Sequence, residues 1–351
     1  MKQNTIDSSS IRVPAEWEAY DTVMVAWPHG DTDWAPMLEE VEKCYVNIVR
    51  EIVAGGLRVL IVTPEPKHVA DSLVSIPADR IILFECRTND TWTRDYGVIS
   101  AYNGNGMPLA IDFRFDGWGL KFASNLDNLV TLRMLEKGLL TRNYVSRLDY
   151  TFEGGSMEMD GAGTMLSTSH CLQSLNRNGY RTAGQLEEYF RQSLGIDRLL
   201  LLEHGHLEGD DTDSHIDTLA RFAPGDTILY VKCYNQTDPH YEELRLMEEE
   251  LASFRTMDGN PYNMIGLPLP DAIYDEEGDR LPATYANFLV TPARVLMPTY
   301  GQPDNDLLAK QMLRIAFPDR EIVGIDCNAL IRQHGSLHCA TMQLPKGILR
   351  V

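Results

Sequence analysis

Five times along this chain of 351 residues an amphipathic helical stretch is followed closely by a short apolar strand, and that recurrence constrains the fold more than any other feature. The clearest copy spans residues 37–62. Met37, Val41, Tyr45, Ile48, Val49 and Ile52 share one face at helical spacing, Gly55-Gly56 stops the helix, and residues 57–62 read as a buried strand. The order repeats in 126–135 with 144–148, 183–194 with 199–202, 241–254 with 264–267, and 304–317 with 321–325. Further strand candidates are 22–27, 164–168, 218–222, 227–232 and 294–298. Five mixed units suit an α/β ring with pseudo-fivefold repeats around a central axis. An open doubly wound sheet fits less well. No Gly-x-Gly-x-x-Gly turn follows a strand, and Pro and Gly interrupt strict alternation. With no linker or composition break, residues 1–351 read as a single domain of five internal repeats.

Charge narrows the partners. A formal net charge of −20 repels phosphate backbones and draws small cations toward any cleft that focuses the field, so nucleic acid is not the expected partner. Residues 1–10 are polar and lack the apolar core of a signal peptide, and no apolar run approaches membrane-spanning length. The six cysteines form no CxxC pair, which favours a reducing cytoplasm and free thiols. A homo-oligomer remains open.

Four short segments gather reactive side chains among small or turn-forming residues: 89–97, 153–156, 210–217 and 334–339. In a ring of repeats, equivalent loops point at one central channel, so these segments can converge. Cys339 follows Gly335 and Ser336. A thiol there becomes nucleophilic only beside positive charge, which His338, His334 or a cationic substrate can supply; otherwise it is a small core residue. His215 and Asp217 share a face if residues 214–222 are a strand, and an imidazole beside a carboxylate suits proton transfer. Trp92 and Asp95 line one pocket if they sit in a loop, with Arg94 pairing a neighbouring carboxylate. Glu153, before two glycines, either closes a turn or belongs to the same site. Trp27, Asp31 and Trp92 are candidates for reading a second cationic end of a substrate. A metal site is the rival reading. His204, His206, Asp210, Asp211, Asp213, His215 and Asp217 form a dense group of ligand types, at a spacing that matches no zinc or calcium loop.

Taken in order, Trp92-x-Arg94-Asp95, Glu153-Gly-Gly-Ser156, His215-Ile-Asp217 and His338-Cys339 resemble the agmatine deiminase and bacterial peptidylarginine deiminase family of guanidino-modifying proteins. Pro14-Ala-Glu-Trp17, Ala26-Trp-Pro28, Cys171-Leu172 with Asn176-Arg-Asn178, Pro298-Thr-Tyr-Gly301 and Phe317-Pro-Asp-Arg320 extend the likeness over residues 12–345. The resemblance implies a five-bladed α/β propeller with Cys339 as nucleophile and His215 as general acid/base. Asp95 and Asp217 would grip the guanidinium, with Glu153 against the histidine. It implies no metal or organic cofactor, and agmatine as substrate, giving N-carbamoylputrescine and ammonia. Two places depart from the agmatine pattern. Gln333-His-Gly-Ser-Leu-His-Cys339 stands where a Gly-Gly-Gly-Asn-Ile-His-Cys run is usual, and Thr218 follows the His-x-Asp. Both bear on the substrate rather than the reaction. A peptidylarginine or other guanidine deiminase, a metal-dependent hydrolase using residues 204–217, and a guanidinium-binding protein without catalysis are the alternatives.

Overall fold

Each amphipathic stretch folds as a helix whose ends the sequence specifies. In the computed structural model, which describes residues 11–18 and 20–350, these are α1 (Leu38–Ala54), α2 (Val130–Glu136), α3 (Ala183–Leu194), α4 (Tyr241–Ser253) and α5 (Pro303–Ala316). The polar stretch 1–10, read above for a signal peptide, lies outside the described residues. Glu39 and Glu40 occupy the first turn of α1, where carboxylates suit the positive end of the helix dipole. Gly56, at φ +90°, then turns the chain out of α1 in a conformation that side chains avoid. Thr182 and Gln185 form a reciprocal capping box on α3, and Pro303 opens α5.

Every helix is the crossover between two parallel strands, and each such pair gains an antiparallel strand on its other side. The first sheet holds β1 (Thr22–Ala26), β2 (Arg58–Thr63) and β3 (Ile81–Glu85). The second holds β4 (Ile99–Tyr102), β5 (Pro108–Arg114) and β6 (Tyr144–Thr151), and the third β7 (Glu158–Met159), β8 (Thr164–Thr168) and β9 (Arg198–Leu202). The fourth comprises β10 (Ala220–Ala223), β11 (Thr227–Lys232) and β12 (Asn263–Pro268), and the fifth β13 (Leu289–Val290), β14 (Arg294–Thr299) and β15 (Glu321–Asp326). The last strand, β16 (Met342–Leu344), returns to the first sheet and pairs antiparallel with β1, the place that β4, β7, β10 and β13 hold in theirs. Both ends of the described chain therefore build one blade. That closure leaves no open seam in the ring.

The helices fill the wedges between blades. α1 packs on β2 and on β15 of the preceding blade, α5 on its own β14 and β15 and on β12, and α4 on β11 and β9. The fold is a five-bladed α/β propeller with one continuous apolar core. Near the axis Arg221 of β10 is fully buried. Its guanidinium donates to Glu158 of β7, to the carbonyls of Ala286 and Phe288 ahead of β13, and to Glu16. One cation thus ties three blades and the N-terminal segment together, with its charge compensated as a buried cation requires. No helix among the described residues is long and apolar enough to cross a membrane.

The expected strand over 214–222 is shorter. Ile216–Thr218 forms a 3₁₀ turn, closed where the Thr218 hydroxyl donates to the His215 carbonyl at 2.8 Å, and extended pairing begins only at Ala220. β4, β5, β7, β13 and β16 were not read from the sequence as strands. β7 and β13 are two residues long, and β5 opens on a proline, which hides its alternation.

Removing residues 342–350 deletes β16 and the buried side chains of Met342, Leu344, Ile348 and Leu349. At about 1.5–3 kcal/mol per buried apolar side chain, the loss approaches the whole stability of a typical domain. The truncated chain is expected to lose cooperative thermal unfolding and its native elution volume. A melting curve within a few degrees of the full chain would contradict this account of ring closure.

Candidate active site

Five blade-to-blade connections each deliver polar groups to one buried point. Between β3 and β4, Thr93–Tyr96 forms a single helical turn that carries Asp95. Between β6 and β7, Gly154–Ser156 forms a 3₁₀ turn after Glu153. The β9–β10 connection carries His215 and Asp217, the β12–β13 connection Asn287, and the turn before β16 carries Cys339. The Cys339 turn is pinned by the Arg94 amide donating to the Cys339 carbonyl (3.1 Å) and the Thr93 hydroxyl donating to the Ala340 carbonyl (3.0 Å).

At the centre lies Gly155. A Cβ there would stand 2.6 Å from His215 Nδ1, 2.7 Å from Asp95 Oδ1 and 3.3 Å from Asp217 Oδ2, so the three side chains surround one point that only glycine can border. His215 sits between two carboxylates, with Nδ1 3.5 Å from Asp95 Oδ1 and Nε2 3.4 Å from Glu153 Oε2. Asp95 also accepts from the Gly155 amide (3.0 Å) and the Trp118 indole (2.9 Å). Asp217 Oδ2 lies 3.8 Å from Cys339 Sγ and 2.7 Å from His338 Nδ1, whereas its Oδ1 is buried with no hydrogen-bond partner. Such a carboxylate oxygen is expensive to leave unpaired in a dry interior.

Burial and charge set the protonation states. Burial, together with the charge of Asp217 and against that of His215, pushes Asp95 up to about 6. Burial opposes the ionised form of Asp217, but the hydrogen bond and charge of His338 together with the charges of His215 and Arg221 overcome it and hold the carboxyl below its ordinary range. Glu153 is lowered against burial in the same way by Arg177 and His215 together. Burial disfavours the imidazolium of His215, but Asp95, Cys171 and Glu153 overcome it and hold the proton well above the usual pKa. Burial, then Asp217, then Asp95, raise the Cys339 thiol well above its ordinary value. These effects favour the neutral thiol over the thiolate.

Asn287 was not anticipated. Its Nδ2 lies 3.2 Å from Cys339 Sγ and 3.3 Å from Asp217 Oδ2, and its Oδ1 accepts from the His338 and Cys339 amides at 2.8 and 3.2 Å. An amide within Tyr285-Ala-Asn-Phe288 carries no titratable signal, so only its place before β13, equivalent to the other four connections, could have marked it. Arg177 is likewise a supporting group, donating through Nε to both Glu153 oxygens at 2.8 and 2.9 Å.

A cleft of about 140 Å³ leads from solvent to Cys339, bordered by Trp92, Asp95, Trp118 and Thr218, with Asp33, Asp90 and Asp211 also in its walls. Trp92 is a pocket wall, close enough to Gly335 that a Cβ there would meet its ring at 2.5 Å. Two candidates lie elsewhere. Trp27 is buried in the core, its indole donating to Glu42 at 2.8 Å, and Asp31 is an exposed group 3.6 Å from Arg87. Arg94 has no carboxylate partner among the described residues; it donates to the His338 carbonyl and the Gln343 side chain instead.

The 204–217 metal reading is not formed either. His204 faces Glu243, His206 faces Ser214, and Asp213 pairs with Lys121 and Arg177. The ligand-type group that does gather among the described residues is Glu153, Cys171 and His215, whose atoms lie within 4.8 Å of one another. Arg177 occupies both oxygens of that carboxylate, which sets a fixed cation against any incoming metal ion.

Residues 12–345 match the family described as Porphyromonas-type peptidyl-arginine deiminase. The chain belongs to that family. It is 30% identical over 336 residues to a Legionella pneumophila protein provisionally named an agmatine deiminase, covering 95% of this chain and 94% of that one. Among solved structures, a chain from Porphyromonas gingivalis provisionally named an arginine deiminase shares 46% identity at TM-score 0.91, covering 97% of this chain and 100% of that one. The C. jejuni agmatine deiminase, solved as a cysteine-to-serine variant with substrate bound, shares 36% identity at TM-score 0.89, covering 96% and 97%. Membership makes the chain a guanidine deiminase, a hydrolase of carbon–nitrogen bonds.

Gly155→Ala is expected to keep the fold while lowering kcat/KM by on the order of a hundredfold or more, because the new methyl displaces the converging side chains of His215, Asp95 and Asp217 at once. Near-native kinetics in that variant would contradict the geometry. Because Asp95 carries its charge only above about 6, kcat/KM should fall roughly tenfold per unit of pH below that value, where the carboxylate takes up a proton. A flat profile from pH 7 to pH 5 would show that ionised Asp95 is not required.

Proposed function

We propose that the protein is an agmatine iminohydrolase, converting agmatine and water to N-carbamoylputrescine and ammonia. The observation that carries this reading is a buried cluster of carboxylates beside a thiol, in which one Asp217 oxygen has no hydrogen-bond partner among the described residues. A guanidinium is planar, permanently charged and rich in fixed donors, and two carboxylates match it with paired charge-assisted hydrogen bonds. The walls of the cleft support agmatine in particular. Asp33, Asp90 and Asp211 suit a second cationic end, and no Lys or Arg lines the cleft among the described residues to receive the carboxylate of free arginine.

The chemistry follows from charge. The arriving guanidinium offsets Asp95 and Asp217, which had kept the thiol protonated, so the Cys339 proton departs to solvent as the cation binds. Asn287 Nδ2 donates to the thiolate. Sulfur attacks the guanidinium carbon, and the protonated His215 gives its proton to one departing nitrogen, which leaves as ammonia. The neutral imidazole then takes a proton from water and the hydroxide adds to the thiouronium carbon; collapse expels the thiolate while the hydroxyl proton passes to solvent, leaving the neutral ureido product and a protonated His215. Asp95, Asp217 and Glu153 hold substrate and histidine in place throughout. All six cysteines are free thiols, which accords with a reducing compartment such as the cytoplasm.

The test is ammonia release from agmatine, free arginine and an arginine peptide, each with and without chelator. Agmatine should give the highest kcat/KM, and chelator should leave it unchanged. Faster turnover of the peptide or of arginine would overturn the substrate, and loss of activity in chelator would revive the metal reading. Cys339→Ser should fold normally yet lose roughly a thousandfold or more in kcat, since a hydroxyl is far harder to ionise than a thiol.

A further inference from the structure

His338, the residue immediately before Cys339, is 1% exposed. Its Nδ1 lies 2.7 Å from Asp217 Oδ2 and its Nε2 lies 2.7 Å from Glu16 Oε2. Glu16 is anchored in turn: its Oε1 accepts from the Val290 amide of β13 at 2.8 Å, and its Oε2 also receives Arg221. An ionised carboxylate only accepts hydrogen bonds, so an imidazole carrying hydrogen on both nitrogens fits between these two. The bridge runs from β13 through the N-terminal segment and the nucleophile turn to the 215–218 turn. Its end point is the carboxylate with one oxygen held and the other, Oδ1, unpartnered.

Resting on the deiminase reading of the site, we propose that His338 is a positioning residue for substrate binding: it fixes Asp217 through Oδ2 so that Oδ1 is presented to the guanidinium. The carboxylate can rotate about its last bond, and the two further hydrogen bonds that reach Oδ2, from Asn287 Nδ2 at 3.3 Å and from the Cys339 thiol at 3.8 Å, are both longer. Without the short bond from His338, Oδ1 is free to turn toward Asn287, the substrate then meets a misaligned acceptor, and ground-state binding suffers. His338 touches neither the sulfur nor, in this scheme, the substrate. Its effect passes through Asp217.

Two substitutions separate this role from that of a simple buried strut. The amide of His338→Asn places a donor near the position of Nδ1, toward Asp217, and that of His338→Gln places one near Nε2, toward Glu16. Agmatine binding is measured by calorimetry in the Cys339→Ser background, KM and kcat in the otherwise native chain, and melting temperature in both. The expected result is that Asn binds agmatine within a few-fold of the unsubstituted chain. Gln should raise Kd and KM on the order of tenfold to a hundredfold, the worth of a hydrogen bond to a buried charge. Equal binding by both variants, or weaker binding by Asn than by Gln, would overturn the proposal while leaving the deiminase reading intact. Failure of the Cys339→Ser chain to bind any guanidine would overturn both. A readout that does not depend on either variant folding is the pair of exchange-protected imidazole N–H resonances of His338 in the Cys339→Ser chain. Agmatine should shift the Nδ1–H signal. Absence of that signal, or no shift on saturation, contradicts the bridge.

Discussion

Three carboxylates and a thiol are packed into one dry centre, and most of the structure is organised around tolerating that charge. Glu153 is neutralised by Arg177 and Asp217 is held by His338, but His215 is the only cationic group paired with Asp95 among the described residues, and burial lifts the Asp95 pKa to about 6. The deficit is functional. Oxygens left short of donors in a buried slot bind a cation far more strongly than water-exposed ones, because the slot has already lost its solvation during folding. In the proposed reaction, the same surplus of negative charge keeps the sulfur protonated until the guanidinium arrives, which couples nucleophile formation to substrate binding.

A propeller is well suited to hold such a centre. Like charges repel, so the groups need rigid and separate supports, and here each comes from a different blade connection. Arg221 clamps three blades and Glu16 at the axis, and β16 locks the ring immediately after the nucleophile turn. The local backbone shows what the convergence demands. Trp118, Leu120, Asp213, Ser214 and His334 all adopt positive φ without being glycine, and all lie in the loops beside the cleft. Strain of this kind, of order 1–3 kcal/mol per residue, persists where surrounding structure over-determines it, and it gathers at functional sites.

The repeat of helix and strand was legible in the sequence because each unit buries one face and is long enough to show its period. α1 with β2, α3 with β9 and α5 with β15 begin or end within a few residues of where hydrophobic spacing places them. The antiparallel strands β4, β7, β13 and β16 were not legible, and two-residue strands such as β7 and β13 have no period to detect. At the site, residues with distinctive chemistry stood out: Cys339, His215, Asp95, Asp217 and Glu153. Asn287 did not, because an amide looks like any turn residue until its neighbours are known. Trp27 and Asp31 misled for the opposite reason. An aromatic ring and an acid suit a cation anywhere, and only the fold shows one to be core and the other to face solvent.

The central claim is that a bound guanidinium, and not a fixed cation of the protein, turns the thiol of Cys339 into a thiolate. Ultraviolet absorbance of the thiolate, titrated against pH and compared with the Cys339→Ala chain, measures this directly when millimolar guanidinium ion is present or absent as a non-reacting probe. The thiolate band of Cys339 should be missing near pH 7 in the free protein and should emerge at distinctly lower pH once guanidinium fills the slot. A thiolate already present at neutral pH in the free protein, or a titration that guanidinium leaves unmoved, would contradict the account.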